Sequence, residues 1–85
     1  MADNTETRVV LIGVIVEDRA MVDKLNSLLS EFGKYIIGRM GVPYAPKEIS
    51  VISVMLDAPN DVISSLSGKL GALPGISTKT IYSRK

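Results

Sequence analysis

The stretch Leu66-Ser67-Gly68-Lys69-Leu70-Gly71-Ala72-Leu73-Pro74-Gly75-Ile76-Ser77-Thr78-Lys79-Thr80 decides how the chain folds. It begins with the apolar spacing of a helix, and Gly71 stands where helices commonly stop in a left-handed conformation. Pro74-Gly75 cannot continue a helix and favours a tight turn, while the β-branched residues after it favour a strand. The stretch is therefore a junction between a helix and a strand, and the preceding residues must supply the sheet that this strand joins.

Four segments have strand character. Residues 9–16 are apolar on both alternating faces, which is typical of a central strand, and residues 49–56 have a richer apolar set on one face than on the other. Residues 35–42 are interrupted by two glycines and an arginine, so they suit an edge position. Residues 76–82 alternate between apolar and polar types, which predicts a second, half-exposed edge strand.

Two segments have the apolar spacing of helices. The first runs from Met21 to Phe32, with Asp18 placed as a cap and Gly33 placed as its end. The second runs over residues 62–70, after a breaker at 57–60 that ends in a good capping residue. Gly68 inside the second helix costs about 1 kcal/mol relative to alanine, which suggests close backbone contact with the sheet.

The order strand, helix, strand, strand, helix, strand predicts an α+β fold, the ferredoxin-like βαββαβ sandwich. We expect a four-stranded antiparallel sheet of order 4-1-3-2 with both helices on one face. Residues 1–7 are polar and are expected to form a disordered tail, and residues 8–85 a single domain. Two helices cover one face only, yet the central strands are apolar on both, so we expect a homo-oligomer, a dimer or a tetramer.

Composition excludes several classes of function. Cysteine and histidine are both absent, which removes thiolate nucleophiles, imidazole bases and the usual transition-metal sites. We therefore expect no enzyme, no catalytic residues, no metal and no cofactor. A net charge of +1 gives no reason to expect nucleic-acid binding. No apolar run approaches the length that spans a bilayer and no signal peptide is visible, so we expect a cytoplasmic protein without a membrane.

Four charged residues are candidates for ligand binding. Glu17, Asp18 and Arg19 lie in the first strand-to-helix loop, where a helix N-terminus can receive an anion that Arg19 would clamp. Simple capping and solvated charge explain the same three residues. Arg39, between glycines in an edge strand, can face a ligand or partner across an oligomer interface, or can act as a charged guard against edge aggregation.

Two sets of motifs carry a resemblance to known families. Val16-Glu17-Asp18-Arg19, residues 28–33 and residues 73–79 are similar to ACT-like regulatory domains and to the C-terminal domain of the nickel-responsive regulator. Residues 35–41, residues 63–71 and the final Pro74-Gly75-Ile76 resemble the small family of iron-only hydrogenase system regulators. The resemblance covers nearly all of residues 8–82. It implies a regulator that senses a small-molecule effector or binds a protein partner, linked to transcription or to maturation of iron-only hydrogenase.

Departures from those families limit what the resemblance implies. The nickel regulator holds its metal through histidine and cysteine, which this chain lacks, and it binds DNA through a segment that has no counterpart here, so we expect no direct nucleic-acid binding. ACT domains that bind amino acids often have Pro-Gly where this chain has Ala20-Met21, which argues against an amino-acid ligand. The alternative function is a ligand-free interaction or scaffold module.

Overall fold

Residues 6–84 are described by the computed structural model of the protein, and they follow the predicted order of elements. The strands are β1 (Thr7–Val16), β2 (Ile36–Tyr44), β3 (Ile49–Pro59) and β4 (Ile76–Tyr82). The helices are α1 (Val22–Glu31) and α2 (Asn60–Gly71). Short 3-10 turns connect them at Arg19–Met21, Gly33–Tyr35 and Ala45–Lys47.

The sheet confirms the predicted topology. Its order is β2-β3-β1-β4 with every neighbouring pair antiparallel, which is the order 4-1-3-2 counted from the other edge. The two segments richest in apolar residues are the central strands, and the segments with interrupted or alternating patterns are the edges. The protein therefore has the α+β, ferredoxin-like arrangement.

The helices cover one face of the sheet, and burial alternates along β1 accordingly. Val10, Ile12, Val14 and Val16 are at most 1% exposed, whereas the side chains between them point to the other face. Leucines of α1 and apolar residues of α2 close over this side. The core is formed by Val10, Ile12, Val14, Val16, Leu25, Leu28, Leu29, Phe32, Ile52, Val54, Leu56, Ala58, Ile63, Leu66 and Leu70.

The opposite side of the sheet, here called the open face, is uncovered in the single chain. Strand register assigns its members, because residues paired across neighbouring strands share a face. Eight of its large apolar side chains keep 38–66% of their surface exposed: Val9, Leu11, Ile15, Met40, Val42, Tyr44, Val51 and Ile81. Ile49 and Met55 on the same face are half-buried, and its other positions are Thr7, Gly13, Gly38, Ser53, Asp57, Pro59, Ser77 and Lys79.

Three element boundaries differ from those predicted. Strand β3 continues through the expected breaker to Pro59, because β1 begins at Thr7 and pairs with it there. Asn60 is consequently the first residue of α2 and not its cap, and no side chain caps that end. Thr7 had been assigned to the predicted tail; residues 1–5 of that tail lie outside the described residues.

The glycines near the helix-to-strand junction differ from expectation. Gly71 belongs to α2, which ends on Ala72 in a right-handed conformation. The left-handed glycine is Gly75, with φ of 71°. A Cβ added to Gly68 would meet nothing within 4 Å, so this glycine makes no close contact with the sheet. A Cβ on Gly75 would lie 2.6 Å from Cβ of Asp18, so the junction is packed tightly against the first loop.

Among residues 6–84, neither helix has both the length and the apolar surface that crossing a bilayer would require. The apolar residues of both helices pack against the sheet, where Leu25, Leu29, Leu66 and Leu70 are fully buried.

Replacing Gly75 with alanine should lower the free energy of unfolding by about 2 kcal/mol or more, because alanine is strained at positive φ and would collide with Asp18. Gly68→Ala is the matched control and should raise it by about 0.5–1 kcal/mol, since this helical position is open. Urea unfolding of the two variants measures both changes. Equal stabilities of the two variants would contradict the close packing of the junction.

Candidate functional site

Polar side chains gather at one end of the sheet. Because Val16 of β1 pairs with Ser50 of β3, the loop after β1 and the turn before β3 lie at the same end. These two connections enclose a shallow groove of about 480 Å³, here called the polar groove. Its lining residues are Glu17, Asp18, Arg19, Ala20, Lys47 and Glu48. The structure thus brings together three of the four candidate residues.

Backbone hydrogen bonds fix the first side of the polar groove. The Glu17 N–H donates to the Gly75 carbonyl over 2.7 Å, which ties the loop after β1 to the start of β4. The Asp18 carboxylate accepts from the Ala20 N–H at 3.0 Å and caps the short 3-10 turn. Asp18 is therefore a cap as predicted, although it caps this turn and not α1 itself.

The groove carries charges of both signs. Arg19 and Lys47 supply two cations, and Glu17, Asp18 and Glu48 supply three carboxylates. Among residues 6–84, the salt bridge is between Lys69 and Glu31, 3.7 Å apart and outside the groove. Neither Arg19 nor Lys47 is held in a salt bridge there, so both can contact an anionic ligand. In the same part of the chain, no three acidic side chains cluster closely enough to hold a metal ion.

Glu48 is a groove residue that sequence reasoning missed. It has φ of 54° and ψ of 40°, and it is the non-glycine residue with positive φ in the described part of the chain. Such a conformation costs about 1–2 kcal/mol in a residue that carries a Cβ. The sequence gives no signal for it, because neither glycine nor asparagine marks the position. Lys47 was missed for the same reason: its place in the groove follows from this turn.

Arg39, the fourth candidate, lies apart from the polar groove. It belongs to the helix-covered side of β2, where its Nη2 donates to Oδ1 of Asn26 on α1 over 2.8 Å. The two side chains border a smaller hollow of about 250 Å³ between α1 and β2, with Gly41 and Ser50 on its floor. The arginine thus fastens the edge strand to the helix, a role that its position between glycines did not suggest.

A third hollow lies in the middle of the open face. It has a volume of about 390 Å³ and is lined almost entirely by apolar atoms. It exists because Gly13 has no side chain and its neighbours across the strands, Ser53 and Lys79, frame the gap. From the sequence, Gly13 is only one residue of an apolar strand. Its neighbours on the adjacent strands become known only from the strand register.

Glu48→Gly should raise the free energy of unfolding by about 0.5–1 kcal/mol, because relief of the left-handed strain exceeds the added freedom of the unfolded chain. Glu48→Ala removes the same carboxylate but keeps a Cβ, so it should bring no such gain. Thermal or urea unfolding compares the two. A gain in the alanine variant would show that charge, and not backbone strain, destabilises this turn.

Comparisons with known proteins agree with this architecture. The model of the TM1266-like family, described as "Iron-only hydrogenase system regulator, putative", matches residues 8–80. The structure of the uncharacterized protein TM1266 from Thermotoga maritima has a TM-score of 0.88 and 35% sequence identity, covering 93% of this chain and 100% of that chain. The search of curated proteins gave no match.

A more distant structure shares the fold alone. A formyltetrahydrofolate deformylase from Pseudomonas putida has a TM-score of 0.61 at 13% identity, covering 85% of this chain and 28% of that chain. The family model includes both helices and all four strands apart from Thr7, Ile81 and Tyr82. This chain therefore belongs to the TM1266-like family of iron-only hydrogenase system regulators.

Proposed function

We propose that the protein is a non-catalytic regulator of the iron-only hydrogenase system that works as a homo-oligomer assembled through its open face. The observation that carries this proposal is the row of exposed apolar side chains on all four strands of that face. Contiguous exposed apolar patches on soluble proteins usually mark binding surfaces. Membership in a family of regulators supports the link to hydrogenase.

The size of the open face supports a protein occupant. Four strands spaced about 4.8 Å apart and about seven residues long give a footprint of roughly 19 by 23 Å, or roughly 440 Å². Two facing copies that overlap completely bury about twice this footprint, plus the additional surface of the side chains that protrude from it. For complete overlap this is roughly 880 Å² before the side chains are counted, the size of a weak interface that forms in a concentration-dependent manner.

The charge of the open face supports self-association rather than binding to nucleic acid. Its charged members are Asp57, near the end of β3, and Lys79, on the edge strand β4. A phosphate-binding surface needs several cations, which this face does not offer. Two copies can meet over the centre of the face without desolvating a charge.

Wild-type protein should self-associate in a concentration-dependent manner, and Val51→Lys should weaken that association at least about a hundredfold, because it buries an unpaired ammonium. Val51 is 40% exposed in the single chain, so the substitution leaves the fold intact. Size-exclusion chromatography with light scattering measures the assembly. Ser64→Lys, on the exposed side of α2, adds the same charge elsewhere and should change nothing.

Wild-type protein that stays monomeric at high concentration would overturn the proposed assembly. So would a Val51→Lys variant that assembles as tightly as Ser64→Lys, because the open face would then not be the contact surface. Circular dichroism of each variant establishes that its secondary structure is retained.

A second function, sensing of a small polar effector, is favoured by the polar groove. Arg19 and Lys47 line it from two different connections, so an anionic molecule can bridge the loop after β1 and the strained turn before β3. Such an effector would link the loop after β1 to the turn before β3 and stabilise that end of the sheet. The ligand-free scaffold remains the competing interpretation.

A thermal-shift screen of small anionic metabolites and nucleotides separates the sensor from the scaffold. A ligand present at a hundred times its Kd should stabilise the native protein by about 2.7 kcal/mol. The double variant Arg19→Ala/Lys47→Ala should lose the shift, while Lys34→Ala, a surface cation outside the groove, should retain it. A shift that survives the double variant would place the ligand elsewhere.

A further inference from the structure

Gly13 occupies a position at which the single chain does not require glycine. Its φ is not positive, and a Cβ added there would meet only the Lys79 carbonyl oxygen, at 4.0 Å. Glycine in the interior of a strand costs roughly 0.5–1 kcal/mol relative to alanine. A strand glycine of this kind often marks a place where another group approaches closely. The hollow above Gly13 is therefore space that a group from outside the chain can fill.

The strand register shows where a matching group lies. β3 is flanked by β1 on one side and β2 on the other, each about 4.8 Å away, and residues of both strands pair with the same β3 residues. Gly13 and Met40 both pair with Ser53, and Met40 is 62% exposed. The open face thus carries a hollow and a protruding side chain at equal distances from its central line.

The same relation holds one step toward Met55, whereas one step the other way Ile15 and Val42 are both large apolar residues that would pack side by side. Leu11 and Gly38 both pair with Met55, so a large residue on β1 corresponds to a glycine on β2. A Cβ on Gly38 would lie 3.4 Å from the Met55 methyl group, which confirms that Gly38 lies on the open face. The corresponding pairs across β3 are Leu11 with Gly38, Gly13 with Met40, and Ile15 with Val42.

We propose that a second copy of the chain docks on the open face about a two-fold axis parallel to β3, inserting its Met40 into the hollow at Gly13. A two-fold rotation about that line places β1 of one copy over β2 of the other at the same level. Met40 then fills the Gly13 hollow, and Leu11 lies over Gly38, in both directions at once. This inference rests on the proposed self-association and specifies its geometry.

The distribution of charge fits this docking. The central contact involves β1, β3 and β2, whose open-face positions from residue 11 to 15, 51 to 55 and 38 to 42 are all uncharged. Lys79 lies on β4, outside the overlapped strands, where its ammonium stays in water. An apolar centre surrounded by a polar rim is the usual composition of a protein interface.

A swap of the two complementary residues tests the docking. A Cβ at residue 13 meets only the Lys79 carbonyl oxygen, and the hollow has room for more, so Gly13→Leu should fold and associate at least about tenfold more weakly. Combining it with Met40→Gly should restore the affinity to within about threefold of wild type, because the protrusion and the hollow have exchanged places. Sedimentation equilibrium measures the dissociation constants, and thermal unfolding verifies the fold of each variant. Ser64→Leu, which adds the same side chain on the exposed side of α2, is the control and should change the affinity less than about threefold.

The outcomes distinguish this geometry from self-association itself. If Val51→Lys abolishes assembly but Met40→Gly fails to rescue Gly13→Leu, the open face is the interface and the two-fold docking is wrong. If Gly13→Leu associates as tightly as wild type, the hollow is not filled by the second copy. If Val51→Lys has no effect, or the wild type is a monomer, both proposals fail together.

Discussion

The structure depends on an imbalance between a sheet that is apolar on both sides and two helices that can cover only one of them. The alternation along β1 sends Val10, Ile12, Val14 and Val16 into a core from which water is excluded. The same alternation leaves Leu11 and Ile15 on the other side, 38% and 40% exposed. Burial of apolar surface is the main favourable term in folding and in association, so the face that folding leaves uncovered is the one that association would use.

Two surfaces of different character lie on different parts of the molecule. The open face offers apolar area, shape and little charge, which suit a protein surface. The polar groove offers charged side chains from two connections that the sheet brings together, which suits a small polar molecule. A hydrogen bond from Glu17 to Gly75 and the strained backbone of Glu48 hold the groove in place.

Arg39 illustrates how position changes the meaning of a residue. An arginine flanked by glycines in an edge strand looks like a ligand contact or a guard against aggregation. In the folded chain it reaches back to Asn26 and ties β2 to α1. Which face of β2 carries it depends on the irregular register between Ile36 and Gly38, where one extra residue shifts the strand.

Sequence alone determined the element order, the central and edge strands, the sheet order and the family, because apolar periodicity and turn residues are local properties that the fold must satisfy. It also identified the loop of Glu17, Asp18 and Arg19. Only the tertiary structure decided that Gly75 and not Gly71 is left-handed, that Lys47 and Glu48 complete the groove, and that Gly13 and Met40 lie on either side of β3. These features depend on contacts between segments far apart in the chain, and no local pattern of residues encodes such contacts.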